Sequence, residues 1–180
     1  MSSQTGSDDR RYNYGTGGYL MGKKVVKDLK EKLKNKIIDI AQPREKRIYI
    51  RVKCEKAPEV LEYLFFTYKC KLCTATGMDM REGIEIIYHM AREDKNILIN
   101  VKTLIPYPNP EIDSVGKKIP AFLWIEREIN EMLGVTFRGH PDMRRLILAD
   151  SFPKGKYPLR KDFKHSDVGD EDYDYERKGT

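Results

Sequence analysis

The sequence predicts an α+β fold, a mostly antiparallel four-stranded sheet with helices packed on one face, followed by an extended C-terminal docking segment. Two observations predict it. Apolar residues recur every three or four positions in three stretches, residues 22–40, 58–68 and 120–133, which is the helical period. Between them lie short Ile-, Val- and Tyr-rich runs at 47–54, 72–79, 83–92 and 96–105, bounded by turn residues. The order helix, strand, helix, three strands, helix implies neighbouring hairpins rather than repeated parallel crossovers.

Residues 1–18 are polar, rich in Ser, Gly and Asp, and without periodicity, so they read as a disordered tail. A core domain over 20–133 follows. Its first helix, 22–40, carries Val25, Leu29, Leu33 and Ile37 on one side and lysines on the others. From residue 21 to 56 there are 13 Lys and Arg against 5 Asp and Glu, a local charge of +8, larger than the +6 of the whole chain. Such a patch suits an acidic partner, an anionic headgroup surface or nucleic acid. Base-stacking modules also interleave aromatics on their strands, and the strand at 47–54 offers Tyr49 alone. A stand-alone RNA-binding domain is therefore the weaker reading.

Pro58 opens the second helix. The strands at 72–79 and 83–92 are joined by a turn at 80–83, and those at 83–92 and 96–105 by Glu93, Asp94 and Lys95. Cys70 and Cys73 form a CxxC, but Cys54 and the distant His89 supply no second pair, so incidental thiols at a helix–strand junction are expected rather than a metal or redox site. His89, alone on a strand face, reads as a residue satisfied by a neighbour. Pro106, Pro108, Pro110 and Pro120 mark a stiff crossover that cannot be a central strand.

The helix at 120–133 starts with Pro120 and stops before Gly134, both at favoured positions. On a helical wheel Ala121, Phe122, Trp124, Ile125, Ile129, Met132 and Leu133 gather on one broad side. Glu128 falls within that stripe and Glu126 at its edge. Glu128 is expected to pair with one of Arg138, Arg144, Arg145 or Arg160, since a buried carboxylate needs a cation; the alternative leaves it in solvent beside the stripe. Asp142 is placed to accept backbone N–H groups two or three residues on. The segment 134–163, held open by Pro153 and Pro158, makes poor core and good docking material. Residues 164–180 carry three Lys or Arg against six Asp or Glu, and read as an acidic mobile tail.

No run approaches the ~18 to 20 apolar residues that span a bilayer, and no signal peptide opens the chain. Membrane association is expected to come through partners.

The run Glu126-Arg127-Glu128, then Met132 to Phe137, then Gly139-His140-Pro141-Asp142-Met143-Arg144-Arg145-Leu146-Ile147-Leu148, then Pro158-Leu159-Arg160-Lys161-Asp162-Phe163 resembles the signature of the 30 kDa subunit of respiratory NADH dehydrogenase, complex I. It is similar also to the equivalent subunit of membrane-bound hydrogenases. The resemblance implies a small α/β protein without cofactor or catalytic residues of its own. It implies a position in the peripheral arm, on the cytoplasmic side of the membrane, of an electron-transport complex coupled to ion translocation. There the chain buttresses the large catalytic subunit, with a small iron–sulfur subunit and a ferredoxin-like subunit as further partners. A NiFe centre and iron–sulfur clusters would belong to those partners. The residues implied at the partner interface, or in its support, are Glu126, Arg127, Glu128, Arg138, His140, Asp142, Arg144, Arg145, Pro158, Leu159, Arg160, Lys161, Asp162 and Phe163. Two departures from the respiratory pattern, Asn130 to Leu133 and Ala149-Asp150-Ser151-Phe152, point away from quinone reduction and toward a hydrogenase-type relative. A quinone- or sulfur-linked NAD(P)H or ferredoxin oxidoreductase is the alternative parent.

Overall fold

The computed structural model describes residues 16–164 and Ser166, with the backbone alone for residues 16–21. The tails expected at 1–18 and 164–180 therefore lie largely outside the described residues. Only their inner ends are seen, and the first helix already begins at Thr16.

Helix α1, Thr16–Leu33, turns Val25, Leu29 and Leu33 into the core. It ends earlier than its periodicity suggests. The N–H of Lys36 donates to the carbonyl of Leu33 at 2.7 Å, and the chain turns into strand β1, Ile37–Arg44. Ile37 continues the helical spacing of Leu29 and Leu33, which hides the boundary. The β-branched Ile37, Ile38 and Ile40 instead favour the pleated surface beside β2, Arg47–Lys53. The main sheet thus has five strands, one more than the sequence pattern suggests.

A short helix α2, Ala57–Glu62, with Pro58 in its first turn, continues as one π turn over Tyr63–Thr67. Strands β3, Lys71–Met80, β4, Gly83–Arg92, and β5, Ile97–Pro106, then form a meander. The sheet order is β1-β2-β5-β4-β3, antiparallel throughout except for the parallel β2–β5 pair. Register places Ile48, Ile50 and Val52 of β2, Ile99, Val101 and Ile105 of β5, and Ile84, Ile86, Tyr88 and Met90 of β4 on one buried face. Each large side chain buried there contributes about 1.5–3 kcal/mol. The helices pack on that face, as the α+β class predicts.

The opposite face carries one cross-strand polar chain. The amide of Asn100 donates to the carbonyl of Ile48 at 3.1 Å, so its oxygen is left to accept from His89 Nδ1 at 2.6 Å. His89 Nε2 then accepts from the Thr76 hydroxyl at 3.2 Å. The solitary strand histidine is fully partnered.

After β5 the proline-marked passage forms strand β6, Glu111–Asp113. One 3₁₀ turn over Pro120–Phe122 leads into helix α3, Leu123–Leu133, and strand β7, Thr136–Arg138, returns parallel to β6. Gly77 lets α3 close on β3, because a Cβ there would meet Leu133 Cδ1 at 2.3 Å.

Candidate partner interface

From the 3₁₀ turn through α3 the residues that enter the core along one side are Phe122, Glu126, Ile129 and Leu133, spaced i, i+4, i+7 and i+11. That stripe is narrow and takes in Glu126 at one edge, and the wheel drawn from sequence is too broad. Trp124 lies on the far side and is 64% exposed. Glu128, one turn further on, is exposed too and has no hydrogen bond or ion pair among the described residues. The expected pairing of Glu128 with an arginine is therefore not formed among them. The four candidate arginines are engaged elsewhere.

Glu126 is the buried carboxylate. Its oxygens accept the hydroxyl of Ser114 at 2.5 Å and the N–H of Val115 at 2.8 Å, both from the loop after β6 that arches over the helix. Burial pushes its pKa up, against the pull of those two donors. His140 Nε2 stands 3.9 Å away, yet it donates to the carbonyl of Leu123 at 3.1 Å, while Nδ1 accepts the N–H of Asp142 at 3.1 Å. A ring nitrogen that accepts a backbone N–H carries no proton there, so Nε2 is the donor that meets the Leu123 carbonyl. His140 is a strut between α3 and the turn at 139–142.

The next side of α3 grips the C-terminal segment. Arg127 donates to the carbonyls of Arg144 at 2.9 Å and Arg145 at 2.8 Å. One turn later Glu131, 9% exposed, accepts three consecutive N–H groups, from Leu146 at 3.1 Å, Ile147 at 2.8 Å and Leu148 at 3.0 Å. A cation on carbonyls and an anion on N–H groups, four residues apart on one helix, fix both hydrogen-bonding sides of the passing backbone. Arg145 closes the loop beyond it by donating to the carbonyls of Ala149 and Phe152. Asp142 accepts the N–H of Arg144 at 3.1 Å and its guanidinium at 2.7 Å, which holds the Asp142 carboxyl well below the usual range.

The segment returns across the end of α3. Gly134 has φ +73°, and a Cβ there would lie 2.5 Å from the Tyr157 ring, so both the backbone turn and the close approach require glycine. Arg160 donates to the carbonyl of Leu133 at 2.7 Å and stacks over the Tyr157 ring, 4.6 Å from its centroid. The N–H of Lys161 donates to Asp79 on β3 at 2.8 Å, and Asp79 also accepts the Tyr107 hydroxyl at 2.7 Å. Burial and the Asp79 carboxylate together push the Tyr107 phenol up to about 12. Phe163 stacks on Phe152 with ring centroids 6.2 Å apart.

Among the sequence-predicted residues, Arg127, Arg144, Arg145, Arg160 and Lys161 meet in this clamp, with Asp142 and His140 at its entrance. Arg138 stands apart on β7, paired with Asp113 at 2.8 Å. Glu131, Ser114 and Asp79 escaped sequence reasoning. The spacing of Arg127 and Glu131 marks a shared helix side, but nothing in it shows that backbone rather than side chains would cover them. The large apolar residues left bare on this flank are Trp124, Ile147 at 58% and Leu159 at 59%, and Glu128 is exposed beside them. Among the described residues no group of three His, Cys, Asp or Glu side chains could hold a metal ion, and no helix is long and apolar enough to cross a membrane.

Residues 50–168 match the family model of the respiratory-chain NADH dehydrogenase, 30 Kd subunit. The chain is similar to a subunit of the F(420)H(2) dehydrogenase of Methanosarcina mazei, at 34% identity over 77% of this chain and 89% of that one. It is similar to Hydrogenase-4 component G of Escherichia coli at 32% identity, over 78% of this chain and 26% of that longer polypeptide. Among solved structures it resembles a chain of the membrane-bound sulfane sulfur reductase, an archaeal respiratory membrane complex. The TM-score is 0.75 and the identity 26%, over 89% of this chain and 96% of that one.

Proposed function

The chain belongs to the family of the 30 kDa subunit of respiratory-chain NADH dehydrogenase, and from that premise we propose that it is the non-catalytic brace of a membrane-bound hydrogenase. It is a subunit of a complex-I-like, hydrogenase-related oxidoreductase complex. In the proposed assembly it sits in the hydrophilic arm on the cytoplasmic side, against a large catalytic subunit and a small iron–sulfur subunit. The NiFe centre and the clusters reside in those partners. One observation carries the reading. The segment 144–163 is shaped by its own helix, yet that flank presents a tryptophan, an isoleucine and a leucine to solvent, beside a glutamate unpaired among the described residues. An exposed apolar set of this kind beside polar groups fits a protein–protein interface. Hydrogenase-4 component G carries a matching domain within a longer polypeptide, which supports a partner held at close range.

The likeness to the sulfane sulfur reductase favours a second parent, a sulfur-linked oxidoreductase. Detergent extraction of native membranes with an affinity tag on this chain distinguishes the two. A hydrogenase co-purifies with a large subunit, iron and nickel, whereas a sulfur-linked complex brings iron–sulfur clusters without nickel. Recovery of this chain alone, from membranes where the activity persists without it, overturns both.

A further inference from the structure

The two edges of the main sheet are not alike. β1 carries Pro43, the charges of Asp39 and Arg44, and two register shifts along its pairing with β2, all devices by which an edge strand refuses a stray neighbour. β3 is left open. After one register shift between Leu72 and Thr74 it runs regularly from Thr74 to Met80, about 23 Å, with no proline and no charge before Asp79. Thr74, Thr76, Met78 and Met80 are exposed. Outside the ladder with β4, the one hydrogen bond to the β3 backbone among the described residues runs from the Thr74 hydroxyl to the Ala75 carbonyl, at 3.4 Å. Alternate N–H and C=O groups of β3 therefore face outward without a strand to meet them.

A roof stands over this edge. Gly77 brings α3 directly above β3, with Leu133 and Ile129 against it. One side of α3 faces the middle of the sheet. There Asn130 donates to the carbonyl of Val135 at 2.8 Å, just before β7, and the passage from β6 to α3 is tied to α2 by Lys118 and Glu62 at 2.8 Å. Ile125 and Met132 lie about 140–160° round the helix from Asn130, half-buried, on the side that overhangs the free edge of β3. Glu128 shares that side, and the N–H of Leu159 donates to the carbonyl of Met132 at 3.1 Å, so the edge is continuous with the flank on which Trp124 and Leu159 are bare. Lys161, bonded to Asp79, closes the far end of the slot.

We propose that β3 accepts an extended segment of the large partner subunit as a sixth strand of the sheet. This rests on the reading of the chain as a subunit held by a larger protein. Main-chain hydrogen bonds to β3 hold the incoming strand. Its alternate side chains fall beneath Ile125 and Met132, where aliphatic or β-branched residues fit and a charge would be costly. The side chains between them lie beside Thr74, Thr76 and Met78 on the open face. The partner segment is thus a short uncharged run with an aliphatic residue at every second position.

Amide hydrogen exchange of this chain, compared between the free full-length protein and the complex purified from native membranes by a tag on this chain, tests the strand. In the free chain alternate amides of residues 74–80 exchange fast, and in the complex the same amides slow by about 100-fold or more. Thr74→Lys combined with Met78→Lys places two lysines at exposed positions of the edge. The double variant keeps the urea midpoint of the isolated chain and lowers recovery of the complex about tenfold, whereas Ala41→Lys on the β1 edge leaves recovery unchanged. Equal exchange in the free and assembled chain, or full assembly of the double variant, overturns the proposal and leaves the functional reading standing. Protection of these amides in the free chain that grows with protein concentration assigns the edge to a second copy and overturns it too. Recovery of the chain alone overturns the functional reading and the proposal together.

Discussion

Replacing Glu131 by alanine removes the acceptor of three backbone N–H groups and tests whether the docking segment is shaped before any partner arrives. Hydrogen bonds to a charged group contribute about 1.5–3 kcal/mol each. The three share one carboxylate, and the freed N–H groups of Leu146, Ile147 and Leu148 regain some water, so the losses do not add. A local cost of about 2–4 kcal/mol follows. Because Arg127, Arg145 and Arg160 still hold the segment, the change appears as local opening more than as lowered global stability. Amide hydrogen exchange on the isolated chain reads it directly. In the wild type the amides of Leu146, Ile147 and Leu148 are protected, and in Glu131→Ala they exchange about 30-fold to several hundred-fold faster, at a factor of about ten per 1.4 kcal/mol. Glu131→Gln falls between, since one amide oxygen still accepts while the NH2 group faces donors. If the three amides exchange at the open-chain rate in the wild type, or equally in both proteins, the segment is ordered by its partner and not by α3. A pre-shaped segment saves the ordering entropy at docking, so Glu131→Ala is also expected to slow assembly of the complex.

Glu126→Ala leaves the Ser114 hydroxyl and the Val115 N–H without their acceptor and costs about 2–4 kcal/mol, whereas Glu126→Gln keeps an acceptor and stays within about 1 kcal/mol of wild type near neutral pH. Because burial raises the Glu126 pKa, the fold holds its proton more tightly than the unfolded chain does. Its charge therefore destabilises increasingly as pH rises from the ordinary carboxylate range to the raised value. Urea melts from about pH 4 to about pH 8 should show Glu126→Gln gaining on wild type and then levelling off; a constant difference would contradict the assignment. Asp79→Asn removes the anion that anchors Lys161 and Tyr107, so limited trypsin treatment is expected to cut at Lys154 and Lys156 sooner, and the Tyr107 phenol to titrate lower than about 12. Cys70 is buried, with its thiol pushed up to about 11, while Cys73 is exposed. Iodoacetamide at mild alkaline pH should therefore label Cys73 and spare Cys70 until the chain unfolds, and equal labelling would place Cys70 nearer the surface.

Much of the sheet was legible because its strands are Ile-rich runs bounded by turn residues. The run Gly83 to Arg92 matches β4 to the residue, and the turn at Glu93 to Lys95 is where sequence places it. β1 was not legible because Ile37 satisfies the helical spacing of Leu29 and Leu33 as well as the pleat of a strand, and only pairing with β2 decides between them. β6 and β7 are three residues each, too short to show any period. On α3 the sequence marks the right helix and the wrong glutamate. Glu126 falls at the edge of a wheel drawn from apolar residues alone, where a carboxylate reads as solvated rather than buried. The arch of Ser114 and Val115 that satisfies it comes from eleven or twelve residues away and leaves no local signature. The arginines are expected from their chemistry to seek carboxylates, yet three of them bond backbone carbonyls instead, a role that residue type alone does not announce.

β5 borders β2 on one edge and β4 on the other, so it alone joins the early β1–β2 hairpin to the β3–β4 hairpin. A nascent chain that has emerged only through β4 holds two unconnected ribbons, each with an open apolar face and a raw edge ready for a stray strand. Insertion of this keystone closes both at once. Equilibrium unfolding of the sheet should accordingly be all-or-none, and a nick between β4 and β5 should be far more damaging than one in the C-terminal segment.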